Sequence, residues 1–105
     1  MWHGTSSFDP KIIINSQDGF NTQYANDDCM WGRAVYFAAN AAYSCGAVGS
    51  NGYAHHLPNG ATLSDGSKVP NGTNVVIFSK VQVGKKHICA ADKTLKNPPD
   101  GFDSI

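Results

Sequence analysis

The stretch Trp31-Gly32-Arg33-Ala34-Val35-Tyr36-Phe37-Ala38-Ala39-Asn40-Ala41-Ala42-Tyr43-Ser44 constrains the fold more than any other. Gly32 marks a tight turn. Val35 to Ala38 is short and apolar, as expected of a buried strand. Ala39 to Ala47 is alanine-rich and favours a small helix, which Gly46 and Gly49 should end. A turn, a strand and a helix within so few residues call for a sheet with a helix laid against it. The polar tips of Tyr36, Tyr43 and Ser44 sit among apolar neighbours, as they would beside a ligand.

The flanking segments fit such a frame. Met1 to His3 reads as a short strand, followed by Gly4 and the hydroxyls of Thr5, Ser6 and Ser7. Asp9-Pro10 is a helix start, since the carboxylate caps free N–H groups and Pro suits the first helical position. Although Ile12-Ile13-Ile14 favours a strand, the cap and the stop at Gly19 predict a helix over Pro10 to Gln17. Asn21 to Met30 is polar, aperiodic and turn-rich, hence a loop. Ser50 to Gly72 is also loop-like, and His55-His56 within it reads as a solvated pair. Val75 to Val83 is the clearest strand, a continuous apolar run that then alternates, with Lys80 and Gln82 facing outward. Gly84-Lys85 turns the chain, and His87 to Ala90 is a candidate return strand. Lys93 to Ile105 is irregular.

At 105 residues the chain has room for one small domain, and no linker, repeat or heptad divides it. The formal net charge is zero and the basic residues are scattered. Neither a nucleic-acid footprint nor an anionic membrane surface is indicated. No apolar run reaches membrane-span length. Cys29, Cys45 and Cys89 are odd in number and far apart, which argues against a disulfide framework and for a reducing, intracellular setting. They form no CxxC and are not at metal spacing with the histidines, so no metal site is expected. A domain that starts on its first strand is unusual, which suggests further sequence upstream.

On chemistry alone, several site classes fall away. There is no G-x-S-x-G, no G-x-x-x-x-G-K-[ST] and no G-x-G-x-x-G after a strand. What remains is His3-Gly4 after one strand, Tyr36 on another, and Tyr43-Ser44 on the helix that follows. His and Tyr can hydrogen-bond ribose hydroxyls, a Gly backbone and a Ser hydroxyl can hold a carboxamide, and a Tyr face can stack on a planar ring.

As an ordered set, these residues resemble the catalytic domain of the poly(ADP-ribose) polymerase family, the diphtheria-toxin-like ADP-ribosyltransferases. The markers are His3-Gly4-Thr5, Gly19-Phe20, Gly32 to Ala38 as Gly-x-x-x-Tyr-Phe-Ala, Tyr43-Ser44, Lys80 to Gly84 as x-Val-x-Val-Gly, and Pro98 to Ser104 as Pro-Pro-x-Gly-Phe-Asp-Ser. Each is weak alone, but the six run in family order across residues 1 to 105.

The resemblance implies an α+β fold, a split mixed or antiparallel sheet with short helices. It implies NAD as co-substrate, with ADP-ribose passed to a protein acceptor and nicotinamide released. His3 and Tyr36 become the catalytic pair: His3 would hold the 2′-hydroxyl of the adenosine ribose and Tyr36 would line the nicotinamide side. Gly4 and Ser44 would clamp the carboxamide. Either Tyr43 or Tyr53 would stack on the nicotinamide ring. Thr5, Ser6 and Ser7 would lie near the adenosine. Asn21 to Met30 would form the loop that covers the donor, and Arg33 would keep the charge that the family carries as Lys between two glycines.

The third catalytic position lies, by the resemblance, on a strand after the Asp-Ser motif, beyond Ile105, so the final strands are expected to be missing. All eight acidic residues are Asp, and no Glu is present. Glu is the residue the polymerising members use there. Mono-ADP-ribosylation is therefore expected over polymerisation, with a catalytically inactive NAD- or ADP-ribose-binding or interaction module as the alternative.

Overall fold

The computed structural model describes residues 1–46 and 52–105. The expected helix end at Ala47, its stop at Gly49 and the start of the loop at Ser50 lie outside the described residues. The class is α+β: the described residues form two antiparallel sheets of two strands each and two short α-helices. No helix among the described residues is long and apolar enough to cross a membrane. The chain divides into two compact units, residues 1–17 with 37–79 and residues 18–36 with 80–105. No change in composition marks the boundaries.

In the first unit, β1 (Trp2–His3) pairs antiparallel with β4 (Ile77–Phe78), placing Trp2 opposite Phe78 and His3 opposite Ile77. The Trp2 and Phe78 rings meet at 4.6 Å with planes tilted by 45°, an aromatic pair across the strands. On its other edge, Trp2 exchanges both backbone hydrogen bonds with Ala38, each 2.8 Å. Of the strand expected over Val35 to Ala38, this bridge at Ala38 is the part that pairs.

The second sheet joins β2 (His55–His56) to β3 (Asn74–Val75), with His55 opposite Val75 and His56 opposite Asn74. The run expected as one strand over Val75 to Val83 is thus divided. Val75 pairs with β2, Ile77 and Phe78 pair with β1, and Val76 between them belongs to neither. Val81 and Val83 are half-buried and Lys80 and Gln82 exposed, so the alternation is real, but they lie outside the ladders. His87 to Ala90 also forms no named strand.

Helix α1 (Pro10–Ile14) starts as its cap predicts: the Asp9 carboxylate accepts from the Lys11 N–H at 2.9 Å, and Pro10 holds the first position. It ends at Ile14 rather than Gln17, with Asn15 as C-cap. Ile12 and Ile14 remain exposed, so packing gives the helix little reason to continue. Helix α2 (Ala41–Cys45) is capped by Asn40, whose side chain accepts from Ala42 N–H. It starts two residues later than the alanine run because Asn40 is the better cap. Ala54 and Val69 are buried apolar residues of this unit, and Thr5 and Ser44 are buried polar ones.

The second unit is built from turns. Asn21 caps a single 3-10 turn, Thr22–Tyr24, within the expected loop. Gly32 has φ +75° and lies against the Leu95 carbonyl, where any Cβ would collide. Arg33 N–H also bonds that carbonyl, at 3.3 Å. Near the end of the chain, Lys86 and Ser104 form an isolated parallel bridge, and Phe102 meets His87 edge-on at 4.9 Å.

Candidate functional site

The first unit brings together residues far apart in sequence. Met1 and Ser79 exchange both backbone bonds, so the antiparallel alternation turns the hydrogen-bonding groups of Met1 and His3 toward β4. Those of Trp2 turn the other way, to Ala38, and Gly4 is next on that side. Among the described residues, neither the N–H nor the C=O of Gly4 bonds another backbone group. Among the described residues, a donor and an acceptor therefore stand without a backbone partner at the end of β1.

Gly4 is held there by a close approach. A Cβ at this position would collide with the Tyr53 carbonyl. Two residues on, Ser6 N–H bonds the same carbonyl at 2.8 Å. Tyr53 N–H in turn bonds the Ser44 carbonyl at 2.7 Å. Positions 4, 53 and 44 thus form one connected wall. Ser44 is 3 % exposed, and its hydroxyl bonds no other described residue. Tyr43 and Tyr53 stack on each other at 5.9 Å with planes 28° apart, and both are more than half exposed. The pair presents an accessible aromatic surface beside the buried serine, and geometry does not single out either ring.

His3 is half-buried on β1, with its ring 5.5 Å from Phe37. Thr5 is buried, and its hydroxyl donates to the Phe8 carbonyl, which closes the turn after β1. That bond occupies the Thr5 proton and leaves the oxygen as an acceptor. Ser6 is exposed.

Arg33 and Tyr36 belong to the second unit. The Tyr36 hydroxyl donates to the Gly32 carbonyl at 2.7 Å and accepts from Trp31 N–H at 3.1 Å. Burial pushes the phenol above its ordinary value, against the pull of the Trp31 N–H, with Cys29 adding to the rise. A neutral hydroxyl that bridges its own turn is a lock on residues 31 to 36. The Arg33 guanidinium faces the preceding loop: Nε donates to the Thr22 carbonyl at 2.9 Å, Nη2 to Gln23 at 3.0 Å, and Nη1 pairs with Asp27 at 3.4 Å. Lys93 adds an ion pair to Asp28 at 2.5 Å.

Two features escaped sequence reading. His55-His56, expected as a solvated loop pair, forms β2, and His55 Nδ1 lies 2.8 Å from the Ser6 carbonyl. The second is the contact of Gly4 with Tyr53, which no local pattern announces. Among the described residues no three His, Cys, Asp or Glu side chains come together as metal ligands. Comparison with family models, with curated proteins and with solved structures finds no match.

Proposed function

We propose that the chain is an NAD-dependent ADP-ribosyltransferase of the mono-transferring kind, acting on a protein acceptor inside the cell. The observation that carries this reading is the wall of Gly4, Tyr53 and Ser44. The family likeness assigns Gly4 and Ser44 to the nicotinamide carboxamide and either Tyr43 or Tyr53 to its ring, and residues 4 and 53, 49 positions apart, adjoin. A carboxamide offers one acceptor and two donors. Gly4 N–H and C=O match one of each, and the Ser44 hydroxyl supplies a further donor. The tyrosine pair offers a stacking face for the ring.

In this reading the bond between nicotinamide nitrogen and ribose C1′ breaks, and nicotinamide leaves with the electron pair. An acceptor nucleophile then bonds C1′ and gives up its proton to solvent water. His3 holds a ribose hydroxyl, and Thr5 and Ser6 lie toward the adenosine. Arg33 and Tyr36 act by ordering the loop and turn that precede residue 37. The finer architecture, the split sheet of the ADP-ribosyltransferases, is part of the same proposal. Incubation with NAD labelled in the adenylate should label an acceptor protein and release nicotinamide. Absence of both would overturn it.

A second reading keeps the pocket without the chemistry. None of the residues assigned to the site above carries a carboxylate, and a preorganised carboxylate is worth orders of magnitude in such a transfer. Calorimetry separates the two: ADP-ribose binding without nicotinamide release from NAD supports the binding module.

A further inference from the structure

Asparagine followed by glycine occurs at Asn51-Gly52, Asn59-Gly60 and Asn71-Gly72, and Asn51 lies outside the described residues. The other two pairs sit in the arm that joins β2 to β3, each after a proline, as Pro58-Asn59-Gly60 and Pro70-Asn71-Gly72. We propose that Asn71 is a self-modification site, which the folded chain converts to aspartate and isoaspartate faster than it converts Asn59.

In this step the Gly72 backbone nitrogen attacks Cγ of Asn71. The N–Cγ bond forms, the bond from Cγ to the side-chain nitrogen breaks, and ammonia leaves with the proton given up by the Gly72 amide. Water then opens the cyclic imide. Attack at Cγ restores the ordinary backbone with an aspartate, and attack at the main-chain carbonyl gives isoaspartate. Glycine suits the position after the asparagine, since no Cβ obstructs the approach of its nitrogen.

The arm treats its two Pro-Asn-Gly turns differently. Both asparagines are exposed, and both glycines have positive φ, +75° at Gly60 and +77° at Gly72, as a type II turn requires. Among the described residues, neither glycine N–H has a backbone partner. The first turn is closed by the backbone, with Ala61 N–H donating to the Pro58 carbonyl at 3.1 Å. In the second, the Thr73 hydroxyl donates to the Pro70 carbonyl at 2.6 Å, and among the described residues no backbone N–H bonds that carbonyl. A hydroxyl can turn away without moving the main chain, so the Asn71 backbone is the less restrained against the rotation that brings Cγ onto the next nitrogen. Asp65-Gly66 at the tip of the arm is locked by contrast. Gly66 N–H donates to the Leu63 carbonyl at 2.9 Å, and the Asp65 carboxylate accepts from Ser67 N–H at 2.9 Å and from its hydroxyl at 2.6 Å. Isoaspartate at position 71 lengthens the main chain close to Thr73, whose carbonyl accepts from Leu57 N–H at 3.0 Å. Conversion therefore loosens the base of the arm.

The test is incubation of the intact chain at mildly alkaline pH and physiological temperature. Tandem mass spectrometry follows each asparagine, and an isoaspartyl methyltransferase with a labelled methyl donor reports the isoaspartate. Asn71 should convert severalfold faster than Asn59, with no isoaspartate at Asp65, and hydrogen exchange at the Leu57 amide should quicken as Asn71 converts. In concentrated urea the two asparagine rates should converge, because the same Pro-Asn-Gly sequence surrounds both. Thr73→Ala, which removes the hydroxyl tie, should speed Asn71 further and leave Asn59 unchanged. Equal rates in the folded chain, a faster Asn59, or a difference that persists in urea would overturn the inference. The comparison within the unaltered chain decides even where Thr73→Ala does not fold. No nucleotide enters the experiment, so its outcome is independent of the function proposed above.

Discussion

Gly32 and Gly60 have the same φ of +75°, but only Gly32 has a neighbour where a Cβ would go. Gly60→Ala should cost about 1 kcal/mol, the price of the left-handed backbone alone. Gly32→Ala adds a collision with the Leu95 carbonyl and should cost at least twice that, of order 2–4 kcal/mol. Urea unfolding of the two variants checks this; equal losses would contradict the placement of Gly32. The same geometry governs Gly4. Because its Cα lies on the Tyr53 carbonyl, even Gly4→Ala disturbs the wall, so a substitution at Ser44 is the cleaner probe of the proposed clamp. At this scale the sequence was informative where chemistry is local, as in the Asp9 cap and Pro10. It was silent where a residue's role depends on a partner dozens of positions away. His55 is such a case, since nothing near it in sequence points to Ser6.

The segment from 74 to 83 shows the same limit among elements. Its β-branched composition correctly marks strand-forming residues, but ladder partners are set by the rest of the chain. Val75 goes to one sheet and Ile77 to the other, which no periodicity within the run could reveal. In contrast, the polar loop from 21 to 30 was legible as a loop, and the structure adds what orders it. Arg33 reaches two carbonyls and Asp27 with one planar fork, a pattern that an ammonium group does not reproduce. Arg33→Lys should therefore speed hydrogen exchange of the Tyr24 and Ala25 amides, which close the 3-10 turn onto Asn21 and Thr22. Exchange rates equal to those of the unaltered chain would remove Arg33 from that role.

Across the whole molecule, little is buried: Ala54, Val69 and Pro10 are buried apolar residues among those described, while Ile88 and Phe78 are largely exposed. With so little apolar burial, polar ties within each unit carry weight. The Asp28–Lys93 pair joins distant parts of the second unit, and its charges titrate in opposite directions. Lys93 lowers the Asp28 carboxyl below its ordinary 3.8, mainly through their hydrogen bond, and Asp28 raises Lys93 above 10.5. The Asp28 contribution is therefore full above pH 3.8 and fades as pH falls through the lowered value. The Lys93 contribution is full below pH 10.5 and fades as pH rises through the raised one. Asp28→Asn should reduce the unfolding midpoint by a small, constant amount between those limits, and the difference should shrink in acid and in high salt, since both groups are exposed. A difference that grows in acid would contradict the pairing.

The central claim is that Gly4 and Ser44, joined through Tyr53, clamp a carboxamide, and titration with benzamide, followed at the Gly4 amide, tests it most directly. The clamp predicts a saturable downfield shift of that amide, competition by NAD, and roughly five- to tenfold weaker binding in Ser44→Ala, the loss of about one hydrogen bond. A Gly4 amide that does not move at saturating benzamide, or an affinity unchanged by Ser44→Ala, would contradict it.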